Sequence, residues 1–308
     1  MNRLGRLISQ HDEKRIVNSP LSTQPCSSSG SAPHVRTNNY VSEPTPEHRI
    51  FVLYYAIEMK EIAHKLAAGD SRIVLGDTVW NRENDQFPKV SVKRAWNLKR
   101  AHVAFLASFH TPNVIFEQMS IIQTIPSFGV HSFKVIVPWF PTGTMERVSQ
   151  FGEIATAKTL SRILSTTPPT VRGPSQVILL DIHALVNQFY FEDSVQVNLR
   201  SMIPLLFKAI REWNPPNLAI AFPDDGAYKR YQSRFTQFPK VVCQKIRLGD
   251  QRIVTIKEGS PEGMHCLIVD DLVQSGGTLL KCQKALKAAG ASAVSCYVTH
   301  AVFPGEAW

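Results

Sequence analysis

Cys266-Leu267-Ile268-Val269-Asp270-Asp271-Leu272-Val273-Gln274-Ser275-Gly276-Gly277-Thr278-Leu279-Leu280 is the stretch that decides how this chain folds. An apolar run ends in two adjacent carboxylates, a Ser-Gly-Gly-Thr turn follows, and then a helical pattern begins. A short, bounded apolar run is what a strand buried on both faces of a parallel sheet requires. Asp270 and Asp271 then stand at its carboxyl end, where open α/β sheets bind ligands. Gly276 and Gly277 let the backbone approach an anion closely, with their N–H groups turned towards it. Thr278 is placed to cap the following helix, whose amino end favours phosphate. Carboxylates beside such a cradle suit a sugar phosphate, the acids taking hydroxyls and the loop taking the phosphate. Without further context the same string also fits a strand and helix joined by an ordinary glycine-rich turn.

Outward from this element the chain alternates strands and helices. Strands are expected at Ile50–Tyr54, Arg72–Leu75, His102–Leu106, Phe133–Val137 and Val177–Asp181, then at Leu218–Phe222, Val241–Gln244 and Ala293–Val298. Apolar residues at Met59, Ile62, Ala63 and Leu66 mark a helical face between Glu58 and Ala68. Further helices are expected at Asn113–Thr124, Ala155–Leu164 and Ile203–Trp213, and after the Gly-Gly turn as far as Gly290. Alternation of this length implies α/β architecture with parallel sheets and right-handed crossovers. Two such series predict two α/β domains, 47–190 and 191–308. A tail at 1–46, rich in Ser, Asn, Pro and Thr with little apolar periodicity, precedes them and reads as disordered.

At 308 residues and 44% hydrophobic there is material for two cores. No apolar run approaches the ~20 residues of a membrane span, so no membrane partner is expected. The formal charge of +9 is spread along the chain; it suits small polyanions such as nucleotides and sugar phosphates, and no nucleic-acid partner is expected. Cys26, Cys243, Cys266, Cys282 and Cys296 form no Cys-x-x-Cys pair and no zinc-spaced cluster. They read as reduced thiols of an intracellular protein. Arg3 and Arg6 hint at an organellar transit peptide, Asp12 and Glu13 argue against it, and the cytoplasm is the expected compartment.

Three further constellations carry chemistry. Phe222-Pro223-Asp224-Asp225-Gly226-Ala227-Tyr228-Lys229-Arg230 follows an apolar strand; a carboxylate there can hold Mg²⁺ while Gly226 and nearby N–H groups receive phosphate oxygens. Pro-Asp-Asp-Gly is equally a turn sequence. His183, in Asp181-Ile182-His183-Ala184, can contact a metal or nucleotide, or be structural. Lys245 and Arg247 fall on one side of an extended segment and, with Arg252, can close over phosphate charge, or form a solvated basic edge. No P-loop, G-x-G-x-x-G, G-x-S-x-G or H-E-x-x-H element is present, which removes ordinary P-loop kinase, serine hydrolase and zincin readings.

The opening stretch resembles the phosphoribosyl-pyrophosphate (PRPP) loop of type I phosphoribosyltransferases. The ordered series Asp-x-His-Ala, Pro-Asp-x-Gly, Lys-x-Arg and the Asp-Asp loop resembles ribose-phosphate pyrophosphokinases from about His48 to Trp308. The plant-type, phosphate-independent class II members are most similar, through Val137–Arg147, Asp181–Leu185, Ala221–Ala227, Leu272–Gly277 and Val298–Pro304. This resemblance implies two phosphoribosyltransferase type I-like domains, Mg²⁺ as cofactor, and transfer of the β,γ-diphosphoryl group of ATP to the C1 hydroxyl of ribose 5-phosphate. A homo-oligomer is expected. By the same resemblance Lys245 and Arg247 are catalytic. Asp270, Asp271, Gln274, Ser275, Gly276, Gly277 and Thr278 bind ribose 5-phosphate, and Asp224, Asp225, Gly226 and Ala227 bind diphosphate. Asp85 and His183 bind ATP, and His183 and Asp224 place the metal.

The sequence departs from the class I pattern in four places. Glu83–Pro88 retains only Asp85 of a Phe-x-Asp-Gly-Glu nucleotide element, and Gly143-Thr144-Met145-Glu146 replaces Ala-Arg-Gln-Asp. Ala227 stands for a second Gly, and Gln274 for an acid. Family members continue past the position of Trp308, so a truncated end is expected. A non-catalytic, synthetase-like regulatory partner and a PRPP-consuming transferase are the alternatives.

Overall fold

The computed structural model of the chain describes residues 50–84, 87–248 and 251–304. The expected tail at 1–46, Asp85, Cys26 and the chain end lie outside the described residues.

The first half supplies β1 (Phe51–Tyr55), α1 (Lys60–Gly69), β2 (Ile73–Leu75), β3 (Thr78–Arg82), β4 (Pro88–Val92), β5 (His102–Leu106), α2 (Pro112–Thr124), β6 (Ser132–Val137), α3 (Thr156–Ser165), β7 (Ser175–Leu180) and β8 (Val195–Arg200). Six of these strands form one sheet in the order β2-β1-β5-β6-β7-β8, with every neighbouring pair parallel. Phe133, Val135, Val137, Val177 and Leu179 bury one face against Met119, Ile122, Leu160 and Leu164 of α2 and α3. Leu53, Ala104 and Leu106 pack on Ala63 and Leu66 of α1 from the other side. Strand β5, sandwiched between both layers, is therefore buried from Val103 to Leu106, while β7 alternates buried and half-buried residues. Each large side chain so enclosed, such as Phe105 or Phe133, contributes about 1.5–3 kcal/mol.

The second half supplies α4 (Ile203–Trp213), β9 (Leu218–Phe222), α5 (Asp225–Tyr231), β10 (Lys240–Leu248), β11 (Gln251–Glu258), β12 (His265–Val273), α6 (Gly277–Ala288) and β13 (Ala293–Ala301). Their sheet runs β11-β10-β9-β12-β13, parallel except for the β10–β11 pair. Helices α4 and α5 cover one face and α6 the other, which leaves all five residues of central β9 buried. From β9 the chain steps to β10 on one side and later to β12 on the other. The carboxyl ends of β9 and β12 thus flank a topological switch point, where such sheets bind ligands.

Several expectations are refined. Strand β10 extends to Leu248 because β11 pairs with it, Lys245 opposite Val254 and Arg247 opposite Arg252; β11, not β10, is the sheet edge. The expected helix from Glu58 opens as a tight 3₁₀ turn, Ile57–Met59, before α1. Thr278 does not cap α6. Gly276 does, with φ 76°, and Thr278 lies inside the first turn; that left-handed backbone is one glycine adopts without steric cost. Strands β3, β4, β8 and β11 are elements the sequence reading did not assign. Among the described residues Cys243, Cys266 and Cys282 are buried free thiols, and Cys296 is an exposed one.

The carboxyl end of β7 is tied to the second half. Asp181, with φ 38°, accepts hydrogen bonds at Oδ2 from the Met202 N–H at 2.8 Å and the Thr299 hydroxyl at 2.9 Å. His300 Nε2 donates to the Leu180 carbonyl at 2.9 Å. These bonds hold a non-glycine residue in a conformation that is otherwise costly, and they bring the strand end bearing His183 to the switch point.

Candidate functional site

A cleft of about 830 Å³ opens where β7, β9, β10 and β12 converge. From the sequence-predicted residues it gathers His183, Asp224, Gly226, Ala227, Lys245, Asp270, Asp271, Gln274, Ser275, Gly276, Gly277 and Thr278. Asp225 does not line it. That residue is exposed and its carboxylate accepts from Lys257 Nζ at 2.7 Å. Asp85 and the side chains of Arg247 and Arg252 lie outside the described residues.

Asp224 ends the β9 turn and caps α5, accepting the Ala227 N–H at 3.1 Å through Oδ1. Its Oδ2 accepts from Lys245 Nζ at 2.8 Å. Burial alone would raise the Asp224 pKa, but the Lys245 ammonium and the backbone donors hold it below the ordinary value. Of the N–H groups expected to receive diphosphate, that of Ala227 already serves Asp224. Lys245 reaches across from neighbouring β10, three residues past Val242, which pairs with Phe222 at the end of β9.

Strand β12 carries both acids before its end, and both line the cleft. Asp271 is buried, and its Oδ2 lies 2.8 Å from His183 Nδ1 and 3.5 Å from Arg230 Nη1. Burial would raise its pKa; the His183 bond and the Arg230 charge hold it down. The same bond pushes the His183 imidazole up. Asp270 Oδ1 accepts the Asp271 N–H at 2.9 Å. Burial first and the neighbouring Asp271 charge second push it up to about 7. Beyond them Gln274 and Ser275 are exposed, and the α6 amino end faces the cleft through Gly277 and Thr278.

Arg230, which closes the Phe222–Arg230 string, is a site residue for which the sequence alone assigns no role. It reaches the carbonyls of Ile182 and His183 as well as Asp271. An arginine at the end of a carboxylate-bearing turn was the available signal. Glu146, the last residue of the Gly143–Glu146 segment, and the neighbouring Arg147 also line the cleft.

The arrangement brings two adjacent acids, a helix amino end and a cation beside a carboxylate into one cleft, with an imidazole from the other half. A family model described as Phosphoribosyl transferase domain matches residues 215–305. Ribose-phosphate pyrophosphokinase 4 of Oryza sativa subsp. japonica is 51% identical over 257 residues, covering 83% of this chain and 79% of the relative. The chain belongs to the ribose-phosphate pyrophosphokinase family. The chloroplastic ribose-phosphate pyrophosphokinase 3 of the same plant is 50% identical over 262 residues, 85% of this chain. The chain spans only 64% of that relative's length. The fold also matches the crystal structure of phosphoribosylpyrophosphate synthetase from Mycobacterium smegmatis. That match has a TM-score of 0.67 and 20% identity, and covers 84% of each chain. Among the described residues no helix is long and apolar enough to cross a membrane.

Proposed function

We propose that the chain transfers the β,γ-diphosphoryl group of ATP to the C1 hydroxyl of ribose 5-phosphate, giving PRPP and AMP. The observation that carries this reading is the convergence, in one cleft, of the Asp270–Thr278 loop, the Lys245–Asp224 pair and His183. A transferase that only consumes PRPP gives no role to the His183 contributed by the first half.

Asp270 and Asp271 take ribose hydroxyls, which directs the C1 oxygen towards Lys245. The 5-phosphate sits at Ser275–Thr278, against the α6 amino end. Asp224–Ala227 forms the diphosphate side; Gly226 is exposed there and Asp224 anchors the turn. Lys245 swings from Asp224 to the transferring phosphoryl oxygens and neutralises charge as it develops, with Arg247 joining it. Such chemistry depends on in-line positioning and charge stabilisation more than on a strong base.

The donor set fits Mg²⁺ in part. No group of three or more His, Cys, Asp or Glu able to hold a metal occurs among the described residues. A hard cation that keeps its waters needs only one or two carboxylates plus substrate phosphates, and Asp224 meets that need. His183 offers nitrogen, which such an ion takes less readily, so it would contact the nucleotide. Bound there with ATP, the ion supplies neutralisation of phosphate charge. Asp85 remains assigned to ATP, and a homo-oligomer is proposed. The cytoplasm stays our proposed compartment, with the chloroplastic designation of the rice relative as the rival; fractionation of cells expressing the tagged full-length protein separates the two.

Purified protein given Mg²⁺, ATP and ribose 5-phosphate is expected to form AMP and PRPP in equal amounts, with AMP strictly dependent on the sugar phosphate. Well-folded protein that forms neither product would overturn the reading in favour of a regulatory partner.

A further inference from the structure

We infer that Arg230 is a positioning residue for the transfer reaction: its guanidinium fastens the turn bearing His183 to the Asp271 carboxylate, and so sets where the imidazole faces the cleft. The inference rests on the diphosphokinase reading of the cleft.

Three contacts close a ring. Arg230 Nη1 donates to the His183 carbonyl at 2.7 Å and lies 3.5 Å from Asp271 Oδ2. His183 Nδ1 lies 2.8 Å from that same Oδ2. The other guanidinium nitrogen, Nη2, donates to the Ile182 carbonyl. Two of the acceptors come from the turn after β7 in the first half and the third from β12 in the second, while Arg230 itself stands on α5.

The turn needs such a clasp. Residues 181–184 belong to no helix or strand, so no ladder orients their carbonyls. Asp181, its first residue, already holds a left-handed backbone. The Arg230 side chain is only 17% exposed and Asp271 only 7%, and a carboxylate so buried needs paired donors. With Nδ1 engaged by Asp271, Nε2 is the ring nitrogen left for the nucleotide side, and its direction follows the turn. The His183 side chain is 42% exposed, so packing alone does not fix its rotamer. A lysine in place of Arg230 keeps charge near Asp271 but has no planar fork for two successive carbonyls.

The test uses the full-length protein with Arg230→Lys, Arg230→Gln, His183→Gln and the double variants, each checked for folding by circular dichroism and melting. Arg230→Lys preserves a cation beside Asp271 and is the variant expected to keep the fold if Arg230→Gln does not. Histidine-labelled protein reports the His183 ring resonance, assigned by its loss in His183→Gln. The expected result is a displaced His183 resonance in Arg230→Lys, with kcat lowered about 10- to 100-fold, as for a misplaced catalytic group. KM for both substrates changes less than about threefold, and Arg230→Lys costs less than about twofold further once His183 is Gln. An unmoved resonance, or losses that multiply in the double variant, would overturn the inference, because Arg230 would then act on substrate or not at all. If wild-type protein makes no AMP, the function reading fails by itself. The His183 resonance then decides the positioning alone: displaced, it stands; unmoved, it falls.

Discussion

The chain carries two Asp-Asp pairs at the ends of neighbouring strands, and the fold makes different chemistry of each. In Asp224-Asp225 the chain turns into α5, so one acid caps the helix inside the cleft and the other leaves for solvent. Asp224 meets Lys245 at 2.8 Å within the cleft; Asp225 meets Lys257 at 2.7 Å on the surface. In Asp270-Asp271 the strand continues past both, and both carboxylates stay enclosed. There Asp271 collects His183 and Arg230, while Asp270 sits beside an ionised neighbour and rises to about 7. Sequence identity of the dipeptide says nothing of this; what decides it is whether the backbone turns or runs on.

The largest effect tests the cleft member of the first pair's contacts. Lys245→Ala is expected to lower kcat by about 10²–10³-fold, as for loss of a preorganised donor to developing charge. KM for ribose 5-phosphate should stay within about threefold, since the sugar is held on the β12 side. Steady-state kinetics with each substrate varied decides this, and equal losses in kcat and affinity would sink the role.

Asp271→Ala tests the second pair through stability. It leaves Arg230 and His183 facing an emptied, buried position, and unfolding in urea should show a loss of about 3 kcal/mol. A loss below about 1 kcal/mol would mean that Asp271 is not the anchor the geometry implies.

Asp270 yields a prediction in pH. An acid whose folded pKa lies above its unfolded value binds its proton more tightly when folded. Its favourable contribution is complete below about 4, its unfolded value, and is lost as pH rises through about 7. Wild-type melting temperature should therefore fall more steeply between pH 4 and 7 than that of Asp270→Asn, with the two profiles parallel above that window. Parallel profiles throughout would show that the Asp270 carboxyl is not held protonated.

Much of the fold was legible because buried parallel strands write themselves as short apolar runs. β9, buried at all five residues, and β12 were read directly. The unread strands are half-exposed or at an edge: β8 is Val-Gln-Val-Asn-Leu-Arg, and β3 and β4 pair only with each other. Their polar residues hide a period of two behind loop-like composition. At the site, residue types that touch phosphate or sugar carry local signals, as in Ser275–Thr278. Arg230 has only its place at the end of a carboxylate-bearing turn, because its partners Ile182 and His183 lie 48 and 47 residues away and meet it only through packing of the two halves. Thr278 was read as a cap because its hydroxyl suits one, yet the helix starts where glycine permits φ 76°. Local propensity lost there to a backbone requirement.

The smallest effect belongs to Asp225, and it sharpens the contrast with its neighbour. Its partner Lys257 is pushed to a higher pKa by the hydrogen bond between them, yet both side chains are about half exposed, at 50% and 45%. Water and salt screen such a pair, and holding two long side chains together costs entropy. Asp225→Ala should therefore leave the urea midpoint of unfolding where it is in the wild type. If Asp225 belongs to the diphosphate site, as the sequence resemblance implied, the same substitution must instead raise KM for ATP or lower kcat severalfold. Kinetics of Asp225→Ala beside those of Asp224→Ala separates the alternatives: a large loss for Asp224 alone means that only the acid retained in the cleft takes part. Comparable losses for both would require the first turn of α5 to reorganise on binding and bring Asp225 off Lys257.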